Sequence, residues 1–194
     1  LAQRYRHERD KRLRDDAESQ FVLGVAFPDS EMRIQAYNRA LTDLAGQTPE
    51  QFLEAVRTRF EVRGNANPIP CRGHVSMYLK GSWYDVELSL SIAPDESRCE
   101  VDHLDVAVLQ EQLLQPMLKV RDIRTDSRVT FVGGVRGTDE LARLVNTGKA
   151  AVAFSLAPVT TEELFAVSDA GDIMPPKSTW FEPKLRDGLL IHQV

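Results

Sequence analysis

Apolar and polar positions follow two periods along this chain, and the alternation between them predicts most of the elements. Phe21–Phe27 is a nearly unbroken apolar run closed by Pro28-Asp29-Ser30, the pattern of a buried strand and a turn. Met32–Tyr37 alternates and reads as a second strand. Asn38 is a helix-capping residue, so a short helix from Asn38 to Leu44, stopped by Gly46, is expected next. Thr48-Pro49-Glu50-Gln51 is a capping box that opens a helix with Phe52, Leu53, Val56 and Phe60 on one face. Gly64–Pro70 reads as a loop. His74–Leu79 and Trp83–Ile92 alternate around Lys80-Gly81-Ser82, a hairpin signal. In its second arm Tyr84, Val86 and Leu88 are placed inward.

The second half continues in the same manner. Asp105 is expected to cap a helix with Val106, Leu109, Leu113 and Met117 inward, and Pro116 to kink or end its last turn. Ser127–Val132 is a strand that runs into Gly133-Gly134-Val135-Arg136-Gly137-Thr138. A helix follows with Leu141, Leu144 and Val145 inward, then a buried strand at Ala150–Leu156. Thr160-Thr161-Glu162-Glu163 is a second capping box, and Leu189–Val194 closes the chain as a short strand. The fold class is therefore α+β, with a mixed, largely antiparallel sheet and flanking amphipathic helices. Residues 1–18 mix six Arg or Lys with five Asp or Glu, a solvated charged helix that continues from upstream sequence. Residues 19–194 are expected to form one α+β domain.

Composition narrows the class without naming a function. The 194 residues are 42% hydrophobic and 27% charged, ordinary for a globular protein with a real core. The net charge of −5 and the interleaved acids argue against nucleic acid as a partner. No apolar run reaches a membrane span and no signal peptide is visible, so a cytoplasmic protein without a membrane is expected. Cys71 and Cys99 make neither a disulfide framework nor a metal cluster, and no metal site is assigned. His7, His74, His103 and His192 are scattered and read as ordinary histidines. A small-molecule ligand is the expected partner, and a homo-oligomer is compatible with the chain.

Three places can carry chemistry. Gly133, Gly134, Arg136 and Gly137 lie between a strand and a helix, where backbone N–H groups and a helix N-terminus favour an anion. The pattern is neither a Walker loop nor a full dinucleotide fingerprint, and a tight turn with a surface Arg is the plainer reading. Met174–Lys184 gathers unlike groups on a backbone stiffened by Pro175, Pro176 and Pro183. Lys177 and Lys184 can hold phosphate or carboxylate charge, Ser178 and Thr179 can donate hydrogen bonds, and Trp180 can stack on a planar ligand. Glu182 can act as a general base or hold magnesium, and Glu182 with Lys177 is the candidate catalytic pair. A structural clasp is the alternative. The third place is Arg39, which can bind an anion, although a surface ion pair is the simpler role for it.

Read together, Tyr37-Asn38-Arg39, Tyr78–Tyr84, Phe131–Gly137 and Met174–Leu185 with Gly188-Leu189 resemble the bacterial and archaeal domain of unknown function 1015 family. The resemblance covers about residues 20–194, and it implies that this chain is the C-terminal portion of a longer protein. The family has no settled activity. Its N-terminal half carries an Asp-Gly-His-His-Arg element similar to one in ParB-like nucleotide-binding proteins, including free-serine kinases. That analogy concerns the upstream half and establishes no activity; the two anion-friendly segments of this chain point to a phosphate- or nucleotide-handling, kinase-like enzyme of a small metabolite, with a nucleotide and magnesium as cofactors. Its site walls would be 133–138 and 177–184. A non-catalytic metabolite- or nucleotide-binding regulatory module is the alternative.

Overall fold

The computed structural model describes residues 21, 23–88, 99–186 and 188–191. They fall into two compact units. One spans Arg33–Glu182. The other is formed by the chain up to Met32 together with the chain from Pro183 onward.

The larger unit is a seven-stranded sheet in which every ladder is antiparallel. Its strands are β1 (Arg33–Leu41), β2 (Glu61–Gly64), β3 (His74–Leu79), β4 (Ser82–Glu87), β5 (Val129–Gly133), β6 (Val152–Leu156) and β7 (Thr179–Glu182). Six of them lie in the order β2-β4-β3-β6-β1-β5, and β7 pairs with β1. Its helices are α1 (Pro49–Arg57), α2, α3 (Gly137–Asn146) and α4 (Thr161–Asp169). Helix α2 has three pieces: α-helical at Asp105–Leu109, π-helical at Gln110–Leu114 and α-helical again at Gln115–Leu118. The Pro116 that the sequence marks as a breaker is the cause. It has no N–H for the carbonyl four residues back, and Gln115 N–H instead reaches back five residues to Gln110 O.

Strand alternation sorts the two layers. Leu41, Val75, Met77, Leu79, Val86 and Phe154 point to one face and pack with Phe52 and Val56 of α1 and Val106, Leu109 and Leu113 of α2. Ala40, Tyr78, Val132 and Ala153 point to the other and pack on Leu141 of α3. Both capping boxes are present. Thr48 Oγ1 accepts from Gln51 N at 3.2 Å and Thr160 Oγ1 accepts from Glu163 N at 3.2 Å, each with the reciprocal side-chain bond. Thr48→Ala and Thr160→Ala are each expected to cost about 1 kcal/mol, read as a lower denaturation midpoint at unchanged m-value.

Four expectations from the sequence need correcting. No helix begins at Asn38: β1 runs on to Leu41, because Arg39–Leu41 is paired on both edges, by β5 and by β6. Phe21 and Leu23–Phe27 form no strand, and Phe21, Leu23 and Val25 are exposed, because an apolar run becomes a buried strand only where another strand pairs with it. Leu189–Ile191 forms no strand either. Asp105 is not a cap: Leu104 holds the cap position, and the Asp105 carboxylate accepts from Gly73 N at 3.0 and 3.2 Å. The charged helix expected at 1–18, the strand beyond Leu88 and residues 192–194 lie outside the described residues.

Candidate ligand-binding site

Strand β1 is the spine of the candidate site, because both segments singled out by the sequence attach to it. Its first half pairs with β7, from Arg33 opposite Glu182 to Ala36 opposite Thr179. Its second half pairs with β5, and Tyr37 stands opposite Gly133. Trp180, opposite Gln35, shares a face with Tyr37 and Gly133. A Cβ at Gly133 would lie 2.7 Å from Trp180 Cε3, so the indole occupies the space that the glycine leaves open. The Tyr37 ring centroid is 5.4 Å from Trp180 and 6.0 Å from Phe131, both edge-on. Lys177 Nζ sits 5.4 Å from the Tyr37 ring centroid. Trp180 Nε1 donates to Glu182 Oε1 at 2.5 Å.

Beside this aromatic layer, Asn38 and Ser155 point to the other face of the sheet, and a cleft opens there. Immediately past Gly133 the chain turns through a 3₁₀ segment, Gly134–Arg136, and enters α3 at Gly137 with φ 68°. Gly134 is forced by proximity to β1: a Cβ there would lie 3.0 Å from Ala36 O. No side chain caps the N-terminus of α3. Gly134, Gly137 and Thr138 form one wall of an open cleft of about 180 Å³. Asn38 and Ser155 line it too, each 3% exposed. Asn38 Oδ1 accepts from Leu156 N at 3.0 Å, a bond that sets the direction of the carboxamide. Ser76, next to Ser155 on β3, donates to Asn67 O at 2.7 Å and holds the loop that carries Ile69 to the cleft.

A second, small cavity lies beside the same stretch of chain, since Leu156 and Pro158 line both. Tyr37, Ser178, Arg72, Asp105 and Glu163 contribute to it. Arg72 and Glu163 form an ion pair. Burial pushes the Asp105 carboxyl above its usual range, partly offset by the Gly73 N–H bonds.

The sequence-predicted residues thus separate into groups. Gly134 and Gly137 line the cleft, and Gly133 supports it from β5. Arg136 is exposed at the start of α3. Ser178 lines the small cavity, Thr179 is half-buried in β7, and Lys177, Trp180 and Glu182 belong to the aromatic layer on β1. Segments 133–138 and 177–182 therefore touch through Trp180 on Gly133, and no residue of the second lines the cleft. Lys184 belongs to the other compact unit. Arg39 makes no surface ion pair: it is 1% exposed, and burial lowers its guanidinium to about 10. Asn38 and Ser155 were missed as site residues. The available signal was a lone hydroxyl, Ser155, inside the apolar run Val152–Leu156. His74, read as ordinary, meets the Asp85 carboxylate at 3.0 Å.

A family model described as "Protein of unknown function (DUF1015)" matches residues 1–107, more than half of the chain. The chain belongs to this family. The matched span ends within α2, ahead of the Gly133–Thr138 turn and of the Met174–Lys184 block. No curated protein matches the sequence. Among solved structures, the chain is similar to a free serine kinase mutant in complex with AMP, at 12% identity and a TM-score of 0.43, covering 78% of this chain and 54% of that one. It is similar as well to a free serine kinase mutant in complex with ADP, at 15% identity and a TM-score of 0.41, with the same coverage of 78% and 54%. The chain spans about half the length of that kinase, and likenesses this distant assign it no activity. Among the described residues, no helix is long and apolar enough to cross a membrane.

Proposed function

We propose that the cleft beside β1 binds a phosphate-bearing small molecule, a nucleotide or a phosphorylated metabolite. The observation that carries this reading is the pairing of an uncapped helix N-terminus at Gly137-Thr138 with two buried polar side chains, Asn38 and Ser155, in one cleft. First-turn N–H groups and the helix dipole favour negative charge there, and exposed Arg136 adds a cation at the same helix start. Among the described residues, no ionisable side chain lines the cleft. That favours binding over acid–base chemistry within the cleft itself, as in a metabolite- or nucleotide-binding module. Among the described residues no cluster of three or more His, Cys, Asp or Glu is placed to hold a metal ion, so no step is assigned to magnesium.

A kinase-like activity on a small metabolite is the second reading. The packing of Trp180 on Gly133 favours it, since it ties the strand carrying Glu182 to the strand that leads into the phosphate turn. Lys177 would then steady charge on the transferring group and Glu182 would take the acceptor's proton. Isothermal titration with AMP, ADP, ATP and inorganic phosphate tests the first reading, and heat from none of them would sink it. Under the second reading, Lys177→Ala and Glu182→Ala abolish phosphoryl transfer while leaving nucleotide affinity within about twofold. Loss of affinity together with turnover would instead make these residues part of binding.

A further inference from the structure

The floor of the cleft has a direction, and that direction names a ligand class. Asn38 is 3% exposed in β1, with its carbonyl oxygen taken by the N–H of Leu156 at 3.0 Å. That bond leaves the amide to meet the cleft with its amino group, a donor only. Among the described residues nothing accepts from that amino group, and none bonds the Ser155 hydroxyl beside it on β6. Both groups open onto the cleft, where a ligand that accepts from them gains directed hydrogen bonds. Two such donors side by side on a cleft floor suit a partner that supplies acceptors. The rest of the lining sets the character of that partner. Ile69 and Pro158 are apolar, and among the described residues no lysine or arginine lines the cleft itself.

We propose that Asn38 and Ser155 read an uncharged acceptor edge, a carbonyl or ring nitrogen of a heterocyclic base, while the N-terminus of α3 receives the phosphate of the same molecule. The ligand class is then a nucleoside monophosphate rather than a sugar phosphate. This rests on the phosphate-bearing ligand reading of the cleft and deepens it. Asn38 acts as a specificity residue, and Leu156 N–H is the latch that fixes which end of its amide faces the ligand.

The test uses AMP and ribose 5-phosphate as probes, which share sugar and phosphate and differ in the base. Wild-type protein is expected to bind AMP at least tenfold more tightly than ribose 5-phosphate. Ser155→Ala, which keeps shape and removes one hydrogen bond, is expected to weaken AMP about tenfold and ribose 5-phosphate by less than twofold. Asn38→Asp keeps the acceptor for Leu156 N–H and removes the donor, so it should weaken AMP more than Ser155→Ala does. Thermal melts of both variants check that the fold is kept, and Ser155→Ala decides the matter should Asn38→Asp not fold. Equal weakening of both probes by Ser155→Ala means that the floor reads phosphate or sugar, which overturns the inference. AMP binding left unchanged by Ser155→Ala overturns it as well and leaves the phosphate turn standing. Wild-type protein that binds neither probe defeats the cleft reading itself, and the inference with it.

Discussion

Gly133→Val is expected to lower the stability of the Arg33–Glu182 unit by about 2–3 kcal/mol, and Gly133→Ala by about 1–2 kcal/mol. The reason is steric. A Cβ at this position falls 2.7 Å from Trp180 Cε3 and 2.8 Å from Cζ3, well inside contact distance. The indole has little freedom to yield. Its N–H is bonded to Glu182 and its ring lies edge-on to Tyr37 at 5.4 Å. Residue 133 cannot move away either, because β5 is in register with β1 through Tyr37 opposite Gly133. A side chain here therefore forces β7 and β5 apart at the point where they share β1. The protein has two tryptophans, so a Trp83→Phe background leaves Trp180 as the reporter. Urea unfolding followed by Trp180 emission should show a lower midpoint and, before unfolding, a red-shifted spectrum from a ring pushed toward water. An unchanged midpoint and spectrum would mean that Trp180 does not rest on Gly133. The experiment separates two uses of this glycine: a stability loss with phosphate affinity intact makes it a packing residue, and loss of both makes it part of the turn's geometry.

Much of this architecture is legible in local sequence, and the reason is that the legible parts are local. The two capping boxes each close within four residues, and both occur where the sequence places them. The hairpin of β3 and β4 turns at Lys80-Gly81, both with positive φ, as the Lys-Gly-Ser signal implies. What was not legible depends on pairing across long separations. Asn38 is a good cap by propensity, but its side chain accepts from Leu156, 118 positions away, and Arg39–Leu41 just after it is paired on both edges. Tertiary pairing overrides propensity in such a case. The candidate site shows the same division. The Gly134–Thr138 turn could be read, because glycines between a strand and a helix are a local signature. The floor could not, because Asn38 and Ser155 are brought together by the β1–β6 ladder alone. The Met174–Lys184 block announced itself by composition, yet only β7 pairing with β1 sends its tryptophan to Gly133 and its lysine to Tyr37.

Arg39→Met is expected to raise stability at pH 7 by about 1–3 kcal/mol, an increase where a buried residue is changed. Arg39 is among the largest fully buried side chains of the protein. Its Nη1 donates to Tyr37 O at 3.2 Å, its Nε has no partner, and its guanidinium carbon lies 5.8 Å from the Phe131 ring centroid. No carboxylate pairs with it among the described ion pairs, so only a carbonyl and a ring face offset the loss of water. Burial lowers its folded value from the ordinary guanidinium range to about 10, and that shift fixes the sign. Between the folded and unfolded values the unfolded chain binds more protons, so stability rises with pH there. Below the folded value the penalty is fully present, on the order of 3 kcal/mol at neutral pH. Methionine is unbranched and of similar length, and it fills the space without a charge or an unmet N–H. The lost Tyr37 O contact and imperfect packing take back part of the gain. Guanidinium melts of Arg39→Met against wild type at pH 7 measure the difference. Stability equal to or below wild type would show that the cation is compensated by something the packing does not reveal. A ligand titration on the same pair of proteins decides what that is. If Arg39→Met is more stable and binds AMP as wild type does, the arginine is a cost carried by the fold. If it is more stable and AMP binding falls more than tenfold, the charge serves the ligand, and the site reaches through β1 to its other face.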